Sequence, residues 1–328
     1  MLGNSTFLIT GGTGSFGNTL VSHLLNTDVA EIRIFSRDES KQHYMKQAIR
    51  DSRVRYFLGD VRNADSTNHA VQGADYVFHA AALKHVPAGE LYPWEFTQTN
   101  IGGSHNLLRA IEGSTVKRAV FLSTDKAVYP VNAMGMSKAM MEKLVRSSNY
   151  SSSSVNLITR YGNVIGSRGS VIPQFISSLR NTGMVKVTNL EMTRFMMSLE
   201  DSVSLVLFAL EKGEPGDLFV QKAPGATVEN IVEALSLLLG IKNPEIEIVG
   251  VRPGEKIHET LLTAEESFRS IEHDNYFQVS NVGNLESVSA NMQNLSNAEY
   301  ASNTTVQLNS QELADLLSNI PLIKELLG

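Results

Sequence analysis

An aspartate followed directly by a lysine, Asp125-Lys126, opens a stretch that ends in a second lysine: STDKAVYPVNAMGMSK, residues 123–138. A carboxyl beside an amine is equipped to take a proton from one atom of a substrate and to deliver one to the next. Composition alone equally allows a solvated pair on a surface loop, so position decides. The run before it, RAVFLS (118–123), is short, apolar and β-branched at its centre, the pattern of a buried strand. Asp125 and Lys126 are therefore expected just past the strand's carboxyl end, where open α/β sheets hold their ligands. Lys138 is expected on the first turn of the helix that follows.

The elements needed to support such a site are present upstream. Phe7 to Thr10 reads as a buried strand, followed by Gly11-Gly12-Thr13-Gly14-Ser15-Phe16-Gly17 and an apolar helix, Asn18 to Leu25. Glycines at 11, 14 and 17 let backbone approach a pyrophosphate, and the helix start offers unpaired N–H groups and partial positive charge. A glycine turn alone is a weak signal; with a strand before it and a helix after it, it marks a dinucleotide site. The second strand, Glu31 to Ser36, ends in Ser36-Arg37-Asp38 with Lys41 a turn later. Serine plus arginine suits a 2′-phosphate better than a 2′-hydroxyl, which favours NADP over NAD; Asp38 argues the other way. Arg37 and Lys41 also fit a plain solvated helix face.

Further strands, Arg55 to Leu58 before Gly59-Asp60 and Tyr76 to Ala80 before Ala81-Ala82-Leu83-Lys84-His85, alternate with helical stretches. That alternation implies an α/β fold, a doubly wound parallel (Rossmann) sheet. Small residues at Ala80 and Ala81 leave room for a flat nucleotide, with Lys84 and His85 at the cleft; a lone histidine is more often a packing residue. Asn156 to Arg160 reads as the sixth strand, with Tyr161, Asn163 and Val164 at its end.

Composition then shifts. Residues 1–164 are expected to form the NADP-binding domain. Residues 165–280 would form a smaller α/β substrate domain, with minor crossing of the chain between the two and helices at Gln174–Arg180, Glu200–Leu210 and Val228–Leu239. Residues 281–328 contain an Asn- and Ser-rich stretch followed by helices at Gln311–Leu317 and Leu322–Leu327. The polar stretch, Asn281 to Asn309, is expected to be a disordered linker, or an extended arm ordered on a neighbouring subunit, which would make the tail an oligomer contact.

The chain has 328 residues, 42% hydrophobic and 19% charged, with net charge −6 and interspersed signs. Nothing resembles the basic stripe of a nucleic-acid binder. The absence of cysteine removes disulfides, thiolate metal sites and thiol nucleophiles. The longest apolar runs are too short to span a bilayer and no leader is evident, so a cytoplasmic protein without membrane or metal is expected.

Taken in order, GGTGSFG, SRDESKQ, GDVRN, HAAALKHVP, LSTDKAVYPVNAMGMSK, RYGNVIGSRGSVIP, EMTRFMMSLED and VRPGEKIHETLL resemble the inverting UDP-N-acetylglucosamine 4,6-dehydratases (5-epimerases) of the extended short-chain dehydrogenase/reductase family. The resemblance runs from about Ser5 to Leu262 and implies a homo-oligomer, dimer or hexamer, that binds NADP and UDP-N-acetylglucosamine in capsule or O-antigen synthesis. It implies cofactor contacts at Asp60 and Val61 and at Lys138. It makes Lys126 the carbon-5 base, Asp125 the carbon-6 acid and Thr124 a partner of the sugar near carbon 4. It also implies a diphosphate clamp of Arg194 and Arg252, with Asn163, Glu255, Arg168 and Val171 as further substrate contacts. A lysine base must be neutral near pH 7, and desolvation, the nicotinamide charge and Lys138 are expected to lower its pKa. Carbon-5 inversion would need Lys126 acting on a reoriented sugar, or His85 and Lys84.

One position departs from the wider family. Met134 stands one helical turn before Lys138, where the family carries its acid-base tyrosine; the capsule-type branch is similar in having methionine there. A thioether carries no proton. The carbon-4 hydroxyl proton would leave to Asp125, to Lys126 or to a water held by Lys138. The alternatives are a UDP-sugar 4-epimerase, a non-catalytic NADP-binding protein, and a reductase of another nucleotide-linked ketone.

Overall fold

The computed structural model describes residues 3–167, 170–281 and 299–327. Its first half alternates strand and helix: β1 (Thr6–Thr10), α1 (Ser15–Leu25), β2 (Glu31–Ser36), α2 (Glu39–Ala48), β3 (Val54–Leu58), α3 (Ala64–Val71) and β4 (Tyr76–His79). Two short helices, α4 (Val86–Leu91) and α5 (Pro93–Phe96), lead through a π-helical turn at Thr97–Gly102 into α6 (Gly103–Glu112). Then come β5 (Arg118–Leu122), a 3₁₀ turn at Asp125–Ala127, α7 (Ala133–Ser148), β6 (Val155–Arg160) and β7 (Asn163–Val164).

The second half contains α8 (Val171–Thr182), β8 (Met184–Val187), β9 (Thr193–Met197), α9 (Leu199–Lys212), β10 (Leu218–Gln221), β11 (Gly225–Thr227), α10 (Val228–Leu239) and β12 (Glu245–Ile248). It continues with β13 (Thr260–Leu262), α11 (Ala264–Ser267), β14 (Ser270–Glu272), β15 (Tyr276–Val279), β16 (Tyr300–Ala301), α12 (Ser310–Ser318) and α13 (Pro321–Leu327).

Nine strands form the main sheet in the order β14-β15-β10-β6-β5-β4-β1-β2-β3. From β3 to β10 all pairings are parallel, and β15 and β14 add antiparallel edges. Alternation along each strand builds two apolar layers. Phe7, Ile9, Ile32 and Ile34 meet α1 and α9 on one face, whereas Leu8, Val77 and Phe121 meet α3, α6 and α7 on the other. The doubly wound sheet read from the sequence is thus the observed fold. β1 lies between β2 and β4, so the chain winds in opposite directions on either side of it and a crevice opens at the strands' carboxyl ends.

Chain crossing is more extensive than the minor exchange expected. Helix 199–212, expected in the smaller unit, buries Val203, Val206 and Ala209 against the main sheet, and β10, β14 and β15 extend that sheet. The smaller unit is a separate apolar cluster of α8, α10 and α12, with Phe175, Leu235 and Leu317 buried within it. Helices stand where the last two were expected, as α12 and α13. Residues 282–298 lie outside the described residues, but α12 and α13 pack within their own chain through Leu313, Leu317 and Ile323. Among the described residues, no helix is long and apolar enough to cross a membrane.

Candidate functional site

A cleft of about 650 Å³ runs along the carboxyl ends of β1, β2, β4, β5 and β6. At one end lies the glycine loop. Gly11 has φ +65°, and an added Cβ would sit 2.7 Å from the Ala81 nitrogen. The loop packs against the Ala80-Ala81 backbone with no room for a side chain, which leaves its own backbone facing the cleft. Gly14 caps α1 without a side-chain hydrogen bond, and the first-turn N–H groups at Phe16 and Gly17 lie at the cleft where a phosphate would meet them. This is the donor set that a dinucleotide pyrophosphate requires.

At the end of β2, Thr13 Oγ1 donates to Ser36 Oγ at 3.3 Å, and Gln42 Nε2 holds the Ser36 carbonyl at 3.0 Å. Arg37 is half exposed and 3.6 Å from Asp60. Lys41 Nζ lies 2.7 Å from Asp38, whose carboxylate also caps α2 by accepting from the Lys41 N–H. Asp38 is thereby committed to its own helix, and its pKa is lowered by that hydrogen bonding with Lys41. Two cations face the cleft at this end. Val61 is buried against Gly103, while Asp60 also receives Arg62.

The floor is fixed by a residue that sequence reasoning passed over. Asn100, buried in the π-helical turn, accepts from the Leu83 N–H at 2.8 Å and donates to the Leu83 carbonyl and to Ser137 Oγ, both at 2.9 Å. It ties the Ala81-to-Lys84 wall to α7. A lone Asn between helical residues gives no sequence signal of such a role. Lys84 and His85 stand exposed at the mouth, and Tyr161, Asn163 and Val164 line the far wall. The Tyr161 hydroxyl's pKa is pushed up by burial, and Asn163 Oδ1 is buried without a hydrogen-bond partner.

At the centre, Thr124, Lys126, Met134 and Lys138 all face the cleft. Lys126 Nζ donates to Asp125 Oδ1 at 3.0 Å, and the Thr124 hydroxyl donates to the same oxygen at 2.8 Å. Asp125 has no exposed surface and its Oδ2 has no partner. It stands behind Thr124 and Lys126, not on the cleft wall. Lys138 Nζ is buried, donates to the Leu122 carbonyl at 2.7 Å, and has its pKa pushed down to about 8 by burial against the pull of Glu142. Met134 is buried one turn away.

The expected neutral Lys126 is corrected. Burial does oppose its charge, but Asp125 and Glu259 outweigh burial and the nearby Arg194, so its pKa is raised. Glu259, in the turn before β13, is the second residue that the sequence reading missed. Its Oε1 lies 3.5 Å from Lys126 Nζ and its Oε2 lies 3.4 Å from Lys256 Nζ. No spacing rule links residues so distant along the chain.

The expected substrate residues are only partly assembled. Arg194 is beside Lys126 but off the cleft wall, and its guanidinium donates to the Ile257 and Lys256 carbonyls at 3.1 Å each. Arg252 is exposed on the loop above, 3.8 Å from Glu255, whose Oε2 is buried without a hydrogen-bond partner. Val171 is exposed at the start of α8, where Ser170 reaches the cleft instead. Arg168 lies outside the described residues. Among the described residues, no cluster of metal-ligating side chains occurs.

Residues 7–281 match the model of a family described as polysaccharide biosynthesis protein. A protein of Rickettsia bellii named UDP-glucose 4-epimerase is 45% identical over 99% of this chain and 98% of its own length. The structure of Pen from Bacillus thuringiensis superimposes with TM-score 0.91 at 34% identity, covering 98% of this chain and 99% of that one. A dTDP-glucose 4,6-dehydratase of Streptomyces venezuelae, solved with NAD, shares the fold at TM-score 0.71 and 23% identity, over 77% and 86% of the two chains. The chain belongs to the polysaccharide biosynthesis protein family, as a Rossmann-fold enzyme of the nucleotide-sugar dehydratase and epimerase kind.

Proposed function

We propose that this protein is a UDP-N-acetylglucosamine 4,6-dehydratase that inverts carbon 5, releasing a UDP-2-acetamido-2,6-dideoxy-L-arabino-hexos-4-ulose for surface polysaccharide synthesis. The observation that carries the reading is the hydrogen-bonded Asp125–Lys126 pair beside the cleft centre. A 4,6-dehydration must remove a carbon-5 proton and protonate a departing carbon-6 hydroxyl, and so needs an acid and a base together. A 4-epimerisation has no leaving hydroxyl to protonate.

The resting charges support this assignment. Lys126 is held as an ammonium beside Asp125, and one proton transfer along their hydrogen bond yields a neutral amine and a carboxylic acid. That tautomer is the reactive one and needs no proton from solvent. Lys126 Nζ then takes the carbon-5 proton. Asp125 has no surface on the cleft, so the Thr124 hydroxyl passes the Asp125 proton to the carbon-6 oxygen, which leaves as water. The pair is then back in its resting charge state; Lys126 protonates carbon 5 of a reoriented sugar from the opposite face, which inverts it, and the proton so spent is made good by the one that the carbon-4 hydroxyl releases on oxidation.

The cofactor reading is NADP, bound through the glycine loop, with Arg37 and Lys41 at the 2′-phosphate. When bound, it supplies reversible hydride acceptance at carbon 4, which acidifies carbon 5, and returns the hydride to carbon 6. Lys138 is poised to contact the nicotinamide ribose. The UDP diphosphate would meet Arg252, with Arg194 bracing the 256–257 backbone.

The names of the Rickettsia relatives favour a second reading, a UDP-glucose 4-epimerase. NMR of UDP-N-acetylglucosamine and of UDP-glucose in deuterium oxide with the NADP-loaded protein separates the two. A 4-keto-6-deoxy product with deuterium at carbon 5 supports the dehydratase. A galacto product without loss of water replaces it with the epimerase.

A further inference from the structure

The Lys126 ammonium is enclosed from two sides. Asp125 Oδ1 approaches to 3.0 Å and Glu259 Oε1 to 3.5 Å, and the other Glu259 oxygen lies 3.4 Å from Lys256 Nζ. Lys256 Nζ in turn donates to the Val128 carbonyl at 2.6 Å, just past the 3₁₀ turn that carries Lys126. Four alternating charges therefore form a line, Asp125, Lys126, Glu259 and Lys256, whose side chains are 0%, 21%, 4% and 14% exposed. Arg194 also acts on Lys126, against its charge. On α7, packed against the same turn, Lys138 is engaged with the Leu122 carbonyl and Glu142 with Arg160 and Ser123.

Glu259 is rigidly held. Its N–H donates to Ser302 Oγ at 2.9 Å, Ser302 Oγ lies 2.6 Å from Thr193 Oγ1, and Thr193 Oγ1 lies 2.9 Å from His258 Nδ1. Ser302 has no exposed surface and comes from the segment that pairs β16 with β13. A buried carboxylate on a backbone so anchored, with one oxygen toward Lys126 and the other toward Lys256, is not explained by packing alone, because an apolar side chain would occupy the space at lower desolvation cost.

We propose that Glu259 is a positioning residue for the reaction: it locks Lys126 beside Asp125 and sets the charge of that amine, with Ser302 of the carboxyl-terminal segment holding Glu259 in place. In this arrangement Asp125 is the proton partner of Lys126 and Glu259 is the fixed counter-charge. Lys256 draws on the same carboxylate and so moderates its hold on Lys126. The inference rests on Lys126 being the acid-base group of the proposed dehydration, but its test can be read without any turnover.

Trace acetylation with acetic anhydride between pH 6 and 11, followed by mass spectrometry, reports the free-amine fraction of Lys126 in the full-length protein. Glu259→Gln should raise Lys126 labelling at pH 8 by about threefold or more, the change expected for a fall of half a pKa unit. Lys256→Met should lower the labelling, since Glu259 then has one cation left to serve. Glu247→Gln, which removes a carboxylate at the surface pair with Lys186, should leave it unchanged. With substrate, the alkaline limb of the kcat/KM profile, where Lys126 loses its proton to solvent, should move to lower pH in Glu259→Gln while KM stays within about threefold, where a merely structural role would leave the limb in place. Unchanged Lys126 labelling in both a folded Glu259→Gln and a folded Lys256→Met overturns the proposal. Shifted labelling in a protein that makes no 4-keto-6-deoxy product would overturn the dehydratase reading and leave the charge coupling standing.

Discussion

The Thr124 hydroxyl donates to Asp125 Oδ1 at 2.8 Å while facing the cleft that Asp125 does not reach. It is the contact between the buried carboxyl and the substrate space. Thr124→Val should therefore reduce kcat by about 10²-fold or more, the usual range for losing a positioned proton donor. Thr124→Ser, which retains the hydroxyl, should recover most of that loss. Equal activity in the valine and serine variants would show that the proton takes another path.

Lys126→Met should abolish product formation and deuterium exchange at carbon 5 alike, leaving cofactor affinity intact. Fluorescence titration with NADPH separates the two effects. Exchange persisting in the methionine variant would assign the carbon-5 base elsewhere, with His85 and Lys84 at the mouth as the next residues to replace.

Arg37 and Lys41 are the cations at the end of β2, and Asp38 is held by its own helix. Hydrogen bonds to a charged group contribute about 1.5–3 kcal/mol each. Replacing both cations by alanine should weaken NADP about 10²-fold or more while altering NAD affinity by less than about threefold. A parallel loss for both cofactors would place the 2′-phosphate away from these side chains.

Lys138 couples the site to alkaline stability. Its folded pKa of about 8 lies below the ordinary lysine value of 10.5, because burial disfavours the ammonium. Between those values the unfolded chain binds more protons than the folded one, so this group makes stability rise with pH through that window. Below about pH 8 the folded state carries the cost of a buried charge. Urea melts of wild type and Lys138→Met at pH 7.5 and pH 10 should differ in this sense, with wild type gaining on the variant as pH rises. A constant difference would mean that the Lys138 pKa is not displaced by folding.

Gly135 tests how closely α7 must approach the 3₁₀ turn. A Cβ there would overlap the Lys126 carbonyl oxygen, which is backbone and cannot swing aside. Gly135→Ala should therefore shift the turn that carries Lys126 and reduce kcat at least about tenfold. The matched control is Gly113→Ala, where nothing lies within 4 Å of the added atom. Equal activity in the two variants would show that the turn tolerates displacement.

The linear pattern was sufficient for six strands of the main sheet, β1 to β6. Apolar runs of strand length, alternating with helical stretches and punctuated by Gly11, Gly14 and Gly17, specify β1 to β6 because burial on both faces demands such runs. The placement of Asp125 and Lys126 followed from the strand before them, since a residue just past a parallel strand emerges at the ligand-binding edge. What tertiary structure alone decided is which distant groups meet them. Asn100 reaches Leu83, Glu259 reaches Lys126, and Ser302 reaches Glu259, each across contacts with no periodic signature. The same holds for α9, whose apolar face fits either unit until the sheet's free face is seen to need cover. The charge of Lys126 turned on this difference. Burial by itself would strip Lys126 of its proton, whereas Asp125 beside it in the chain, joined in the fold by Glu259 from more than a hundred residues away, holds the proton on. Electrostatic energy depends on distance through space and on exclusion of water, and neither is written locally in the chain.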